Sequence, residues 1–366
     1  MDFVNLDRQY KTMSNRLMDS CQRVLKSGHF ILGENVKLFE KKFSEYCGMD
    51  HCIGVASGLD AIRIALEALE IGEGDEVIVP ANTYIATWIA VAQTGAEVVP
   101  VEPDKTYCID PSLIQYAISP KTRAVIPVHL FGMPCNMEKI HAAIPEEVHV
   151  ISDCAQSHGA LYEGENVSIY SDVNCYSFYP TKPIGACGDA GAIVTNWDVV
   201  NDRARMIRQY GEKKKYHNEI VGINSRLDEL QAAILLVKLE EATNMQARRI
   251  HRANMYINML DRISELTLPK IPKYARPAWH QFVVRCERRD ELKEFLEERD
   301  IPTLIHYPIP PHTSSAFRYL KYKAGDFPIT EHYTRTMLSL PIDPYMTGGE
   351  QDQVIIAIKE FFEVHP

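Results

Sequence analysis

Short runs of Val, Ile and Ala alternate with amphipathic stretches from residue 51 to residue 195. HCIGVAS, EVIVP, EVVPVE, TRAVIPVHL and VHVISDCA read as strands, while GLDAIRIALEALEIGEG, NTYIATWIAVAQTG, PSLIQYAI and NMEKIHAAI place apolar residues at helical spacing. Apolar strands joined by single helices predict an α/β protein whose central, mainly parallel sheet is covered on both faces. In such sheets ligands bind beyond the carboxyl ends of the strands. That directs attention to Ser57–Gly58, Asn82–Tyr84, His129–Gly132 and Asp153–Gln156.

Before this region, QYKTMSNRLMDSCQRVLKSG reads as a helix closing at Gly28, HFILG as a short extended piece, and VKLFEKKFSEYCG as a second helix. After it come a helix over WDVVNDRARMIRQYG, a polar loop over EKKKYHNEIVGIN, and a long helical segment from about Ser225 to Leu266. KIPKYARPAWH reads as a linker. WHQFVVRC, RRDELKEFLEERD, IPTLIHYP, MLSLPID and GGEQDQVIIAIKEFFE then suggest strands with flanking helices. The expected division is an N-terminal arm with a large domain over 1–250 and a smaller α+β domain over 251–366.

Composition narrows the function classes. The 366 residues are 46% hydrophobic and 24% charged, ordinary for a globular protein with a sizeable core. A formal net charge of −10 argues against a general nucleic-acid binder, although backbone amides can still hold a local anion. Nine cysteines stand singly, without a C-x-x-C, which points to reduced thiols in a cytoplasmic protein and away from a zinc site. Cys52, Cys154, Cys175 and Cys187 lie in or beside apolar runs and are expected to fill core space. No apolar run is long enough to span a membrane, and the N-terminus lacks the basic and apolar regions of a signal peptide.

The chemistry collects around CYSFYPTKPIGACGDAGAIVTNW, residues 175–197, read as strand, irregular loop, strand. Lys182 sits between Pro180 and Pro183, and a residue before proline is pushed out of the α region. Alone it could be an ordinary loop lysine. Asp153 ends an almost wholly apolar strand; it is either a turn or helix cap, or a buried carboxylate that needs a cationic partner. A lysine that can form a Schiff base, with a carboxylate that can hold a ring nitrogen protonated, is what pyridoxal phosphate chemistry requires. Ser57-Gly58-Leu59-Asp60 joins a strand to a helix, so its N–H groups suit a phosphate or merely start the helix. Tyr84 could lie on a planar cofactor or pack beneath its loop. No G-x-G-x-x-G follows a strand, which disfavours a nicotinamide dehydrogenase.

Together these stretches resemble the pyridoxal-phosphate-dependent sugar aminotransferases of the DegT/DnrJ/EryC1/StrS family. SGHFILGENVKLFEKKFSEYCG, ASGLDAIRIAL, GDEVIVPANTYIATWIAV, AVIPVHLFGMP, SDCAQSHGA, SFYPTKPIGACGDAGAIVTN, GINSRLDELQAAIL and IHYPIPPH occur in the family's order. The resemblance implies the type I, aspartate aminotransferase-like fold. It implies Lys182 as the Schiff-base lysine, Asp153 against the pyridine nitrogen, Gln156 near the cofactor's 3-hydroxyl and Tyr84 on the ring. Gly58 and Leu59 would give N–H groups to the phosphate and Ser177 a hydroxyl, with Asn224 reaching the phosphate from the partner of a homodimer. His306 and Tyr307 would approach the sugar, unless they only form the turn before Pro308. Tyr216 and Arg226 would serve the nucleotide diphosphate, although Arg226 could equally pair with Asp228 or Glu229.

Two positions depart from the family pattern: Ala190 in Gly188-Asp189-Ala190-Gly191, where a glycine is common, and Leu59, where Thr or Ala is common. Lysine at 182, where dehydratase relatives carry histidine, favours transamination. The substrates implied are L-glutamate and a dTDP-3-keto-6-deoxyhexose aminated at C3. A C4 aminotransferase acting on a dTDP- or UDP-4-keto sugar and a non-catalytic cofactor-binding regulator are the competing readings.

Overall fold

The computed structural model describes residues 1–364. Among them, seven strands form the main sheet: β1 (His51–Val55), β2 (Glu76–Pro80), β3 (Glu97–Val101), β4 (Thr122–Val125), β5 (His149–Asp153), β6 (Val173–Ser177) and β7 (Gly191–Thr195). Their order is β1-β7-β6-β5-β4-β2-β3. The pairs β2/β3, β2/β4, β4/β5 and β5/β6 are parallel, whereas β7 runs antiparallel to both β6 and β1. That reversal follows from the loop holding Lys182, which joins β6 to its own neighbour β7 and so cannot make a parallel crossover.

Period-2 alternation sends successive side chains to opposite faces. Cys52, Ile78, Val125, Val150, Tyr176 and Val194 enter one core with Phe39 and Phe43 of α2 (Glu34–Cys47) and Leu235 of α8 (Glu229–Glu240). Ile53, Val77, Ala124, Ile151, Cys175 and Ile193 enter the other. That second face is covered by α3 (Gly58–Ala68), α4 (Ile85–Thr94) and α7 (Asp198–Ile207), while α5 (Pro111–Ala117) and α6 (Met137–Ala143) add Ile114, Met137 and Ile140 to the first core. Each fully buried Val or Ile contributes roughly 1.5–3 kcal/mol, so the sheet is a rigid platform for whatever its strand ends carry.

The N-terminal helix α1 (Leu6–Ser27) closes at Gly28 in the left-handed region, as its sequence predicts. Its buried stripe of Gln9, Met13, Leu17, Ser20 and Val24 packs along α8. The segment expected as one helix from Ser225 to Leu266 is two, α8 and α9 (Ala242–Leu260), meeting at Glu241. No glycine or proline marks the break. Nearly all of α8 is buried against α1 and α2, whereas Ala253, Tyr256 and Leu260 of α9 enter a separate C-terminal core, so packing in two directions imposes the bend.

That C-terminal core joins β8 (Phe282–Arg285), β9 (Met337–Leu340), α10 (Arg289–Glu297) and α12 (Gly348–Val364). The expected linker is partly paired: Ala275–Arg276 lies antiparallel to Leu161–Tyr162. The expected polar loop contains a small ladder between Glu212–Lys214 and His217–Asn218. Residues 365–366 of the expected second domain lie outside the described residues. All nine cysteines are free thiols, but Cys187 is exposed rather than core-filling. The loop turns outward there and is held by Cys187 N–H donating to Gln231 Oε1 at 2.9 Å.

One helix escaped the sequence reading: α11 (Pro328–Thr336). Its amino end is capped from more than two hundred residues away. Glu102 accepts from Ile329 N at 2.7 Å, Thr330 N at 2.9 Å and Thr330 Oγ1 at 2.5 Å. This carboxylate ties the C-terminal part to the end of β3. Glu102→Ala is expected to lower stability by about 1–3 kcal/mol, read as a shifted urea midpoint, with Glu102→Gln intermediate because it keeps one acceptor oxygen.

Candidate active site

The carboxyl ends of β5 and β6 and the amino ends of α3 and α4 surround a cavity of about 610 Å³, a size suited to a small-molecule ligand. Lys182, Asp153, Gly58, Leu59, Tyr84, Gln156, Ser177, His306 and Tyr307 all line it. Sequence positions 58 to 307 thus converge on one space.

Asp153 is fixed by its place in the sheet. Its N–H donates to Pro127 O at 2.9 Å, and its carbonyl accepts from His129 N at 3.1 Å. The side chain is 7% exposed. Oδ1 accepts from Ala155 N at 3.1 Å and Oδ2 from Thr87 Oγ1 at 2.9 Å, with Thr83 Oγ1 a further 3.1 Å behind Thr87. Burial pushes the Asp153 carboxyl above its ordinary value, while those donors and Lys182 oppose the shift. The carboxylate thus has hydrogen bonds but lacks a full ion-pair partner, which is the condition that favours a protonated ring nitrogen beside it.

Lys182 stands in a turn, its N–H donating to Tyr179 O at 2.8 Å. Ala186 N–H then donates to Phe178 O at 2.7 Å and returns the chain toward β7. Gly185 permits this closure, because a Cβ there would collide with the Pro180 carbonyl. The prolines and the glycine therefore hold the lysine at the cavity wall, in the non-helical geometry its sequence predicts. Desolvation brings the Lys182 ammonium down to about 8, with Asp153 pulling the other way.

At the amino end of α3, the Ser57 hydroxyl accepts from Asp60 N at 3.1 Å, leaving the earlier N–H groups of Gly58 and Leu59 at the cavity. A Cβ on Gly58 would lie 2.6 Å from Ser177 Cβ, so glycine here lets the helix end and the Ser177 hydroxyl share one cradle. Free N–H groups at a helix start, with the dipole behind them, suit a phosphate.

Tyr84 is 54% exposed, and its ring lies 5.1 Å from that of Tyr307. Gln156 is held at both ends: Oε1 accepts from Phe131 N at 2.5 Å and Nε2 donates to Tyr307 Oη at 3.0 Å. His306 Nδ1 lies 2.8 Å from Ser339 Oγ of β9. Burial, then Lys182, push its imidazolium down to about 4, so the ring is neutral at physiological pH. His306 and Tyr307 thus reach the cavity rather than only forming a turn.

Asn224, Tyr216 and Arg226 do not line the cavity. Asn224 is exposed on a segment bridged to Gln209, and Tyr216 is 80% exposed. The Arg226 guanidinium lies 5.8 Å from the centre of the Tyr210 ring, and among the described residues it makes no ion pair with Asp228 or Glu229. Sequence reasoning missed Thr87, His280 and Gln281. Thr87 lies one helical turn beyond Thr83, at the strand exit already flagged by the carboxyl-end rule. His280 and Gln281 open the WHQFVVRC strand, where two polar residues precede an apolar run. Among the described residues there is no cluster of three or more His, Cys, Asp or Glu able to hold a metal, and no helix long and apolar enough to cross a membrane.

These residues fit pyridoxal phosphate: a helix-end cradle for the phosphate, a buried carboxylate for the ring nitrogen and a lysine of lowered basicity for the aldehyde. Fold and site together define an aminotransferase of the type I class. The DegT/DnrJ/EryC1/StrS aminotransferase family model matches residues 11–359, and the chain belongs to that family. It is 43% identical, over 99% of its length and 96% of the relative's, to the dTDP-3-amino-3,4,6-trideoxy-alpha-D-glucose transaminase of Streptomyces venezuelae. It is 44% identical to the dTDP-3-amino-3,6-dideoxy-alpha-D-galactopyranose transaminase of Aneurinibacillus thermoaerophilus, covering 98% of this chain and 99% of that one. The crystal structure of S. venezuelae DesV in complex with a ketimine intermediate superposes with a TM-score of 0.97 at 42% identity, covering 99% and 98% of the two chains.

Proposed function

We propose that the protein transfers the amino group of L-glutamate to C3 of a dTDP-3-keto-6-deoxyhexose, giving a dTDP-3-amino-3,6-dideoxyhexose. The observation that carries amino transfer is Lys182 facing Asp153 in the cavity that also holds the α3 phosphate cradle. The position of the amine and the dTDP group rest on the two transaminases of C3-amino sugars, at 43% and 44% identity over nearly the whole chain.

Bound in this cavity, pyridoxal phosphate supplies an electron sink that lets nitrogen leave one carbon skeleton and join another. The protein's part is positioning and proton transfer. Gly58, Leu59 and Ser177 would hold the phosphate end, and Asp153 would keep a proton on the ring nitrogen. Tyr84 would cover the ring and Gln156 would serve its hydroxyl. The Lys182 amine, with its basicity brought down to about 8, takes and returns the proton at the reacting carbon. His306 and Tyr307 approach the sugar from the C-terminal part.

The two-part division near residue 250 is supported by the separate apolar cores on either side of it. A homodimer would account for Asn224 and Tyr216, which stand exposed and outside the cavity of their own chain. In that arrangement they and Arg226 serve the phosphate and the nucleotide diphosphate of the neighbouring site. The test is to supply 3-keto and 4-keto dTDP sugars with L-glutamate and locate the product amine by NMR. A C3 amine is expected. An amine at C4 would replace this reading with the C4 one, and absence of transfer to either sugar would favour a regulator.

A further inference from the structure

Several buried polar side chains around the cavity are already held by the protein, as Gln156 is by Phe131 N and Tyr307, His306 by Ser339, and Asp153 by Thr87 and Ala155 N. His280 and Gln281 are different. They are 8% and 5% exposed, line the same cavity, and make no side-chain hydrogen bond among the described residues. Gln281 Oε1 is fully enclosed without a partner. A buried polar atom left unpaired costs about 1–3 kcal/mol, and the Gln281 oxygen is retained against that cost beside a His280 ring that lines the cavity without a protein partner.

The surroundings indicate what they bind. Lys182 is the sole Lys or Arg that this chain itself places on the cavity wall, and its amine is taken up by the cofactor chemistry, while the Arg226 that a dimer would bring is taken up by the nucleotide diphosphate. An amino acid entering the site carries a carboxylate that must leave water, and buried anions need N–H donors. The His280 ring is kept neutral by burial and by the nearby Lys182, so it retains one N–H donor and one acceptor nitrogen. The Gln281 amide, engaged at neither end, can turn its N–H groups to the same ligand.

We propose that His280 and Gln281 form the carboxylate-binding subsite for the amino donor, a neutral N–H pair standing where an arginine would otherwise be needed. This rests on the aminotransferase reading with L-glutamate as donor. Both residues lead into β8 of the C-terminal part, so the donor's carboxylate also draws that part against the cavity. Neutral donors would hold the carboxylate firmly enough for the first half of the reaction yet release the keto acid before the sugar enters.

The two half-reactions separate the possibilities. Holoenzyme is mixed with L-glutamate alone while the visible absorbance of the cofactor is followed, and the amine-loaded enzyme is mixed with the keto sugar alone. His280→Asn and Gln281→Leu are each expected to raise the glutamate concentration for half-maximal conversion roughly 10- to 100-fold. Their effect on the sugar half-reaction should stay within about threefold, well below one such bond. Calorimetric binding of glutarate, which cannot react, should weaken in parallel, and thermal unfolding should show both variants folded. Unchanged glutamate dependence, or equal losses in the two halves, would overturn the proposal. A wild-type holoenzyme unchanged by glutamate would instead remove the donor assignment on which it stands.

Discussion

Lys182→Ala is expected to lose amino transfer by more than about 10⁴-fold while remaining folded, since one residue supplies both the attachment to the cofactor and the proton shuttle. Among the described residues the Lys182 side chain makes no hydrogen bond or ion pair, so its removal should leave the urea midpoint unchanged or slightly raised. Lys182→Arg should be as inactive as alanine, because a guanidinium stays charged and cannot act as a base. Wherever the free amine acts, the step should speed up as pH rises toward about 8 and level off above it, because burial has brought the ammonium down to that value. An ordinary exposed lysine would give a rate still climbing beyond pH 10. Single-turnover rates across pH 6 to 10 decide between the two, and a profile without a plateau would contradict the desolvated lysine.

Asp153→Asn comes second in size. At an effective dielectric of about 20, a charge pair 4 Å apart is worth about 4 kcal/mol, so losing the carboxylate opposite a protonated ring nitrogen should slow turnover roughly 10³-fold. Stability should move the other way. The folded-state carboxyl is raised above its unfolded value, so its stabilising contribution is complete below the unfolded value and is lost as pH rises through the folded one. The cofactor-free wild type therefore bears a desolvation cost at this carboxyl that asparagine lacks, while the Thr87 bond can persist to the amide oxygen. A variant slower in turnover yet equally or more resistant to urea without cofactor is the expected result. A less stable variant would mean that Asp153 serves the fold more than the cofactor.

Much of the site was legible because it lies where chain punctuation meets strand ends. Pro180, Pro183 and Gly185 mark the Lys182 loop, and SGLD marks the start of α3. Asp153 follows an apolar run that leaves its carboxylate conspicuous. Thr87 was not legible, since a threonine on an apolar helix gives no sign of facing a strand from 66 residues later. His280 and Gln281 were missed for a similar reason: two polar residues before a strand look like any strand entrance. The amino end of α11 gave little signal because Glu102, its cap, lies far away in sequence.

The sequence alone determined the alternation that builds the sheet, the faces each strand buries, the stops at Gly28 and Gly48, and the loop geometry of Lys182. These depend on local backbone sterics and on the spacing of apolar residues, both written in adjacent positions. The tertiary structure decided the reversed direction of β7, the bend between α8 and α9, and the meeting of positions 58 to 307 in one cavity. It also decided the lowered basicity of Lys182 and the uncommitted state of His280 and Gln281. Those properties come from desolvation and from partners distant along the chain, which exist only after the layers have packed.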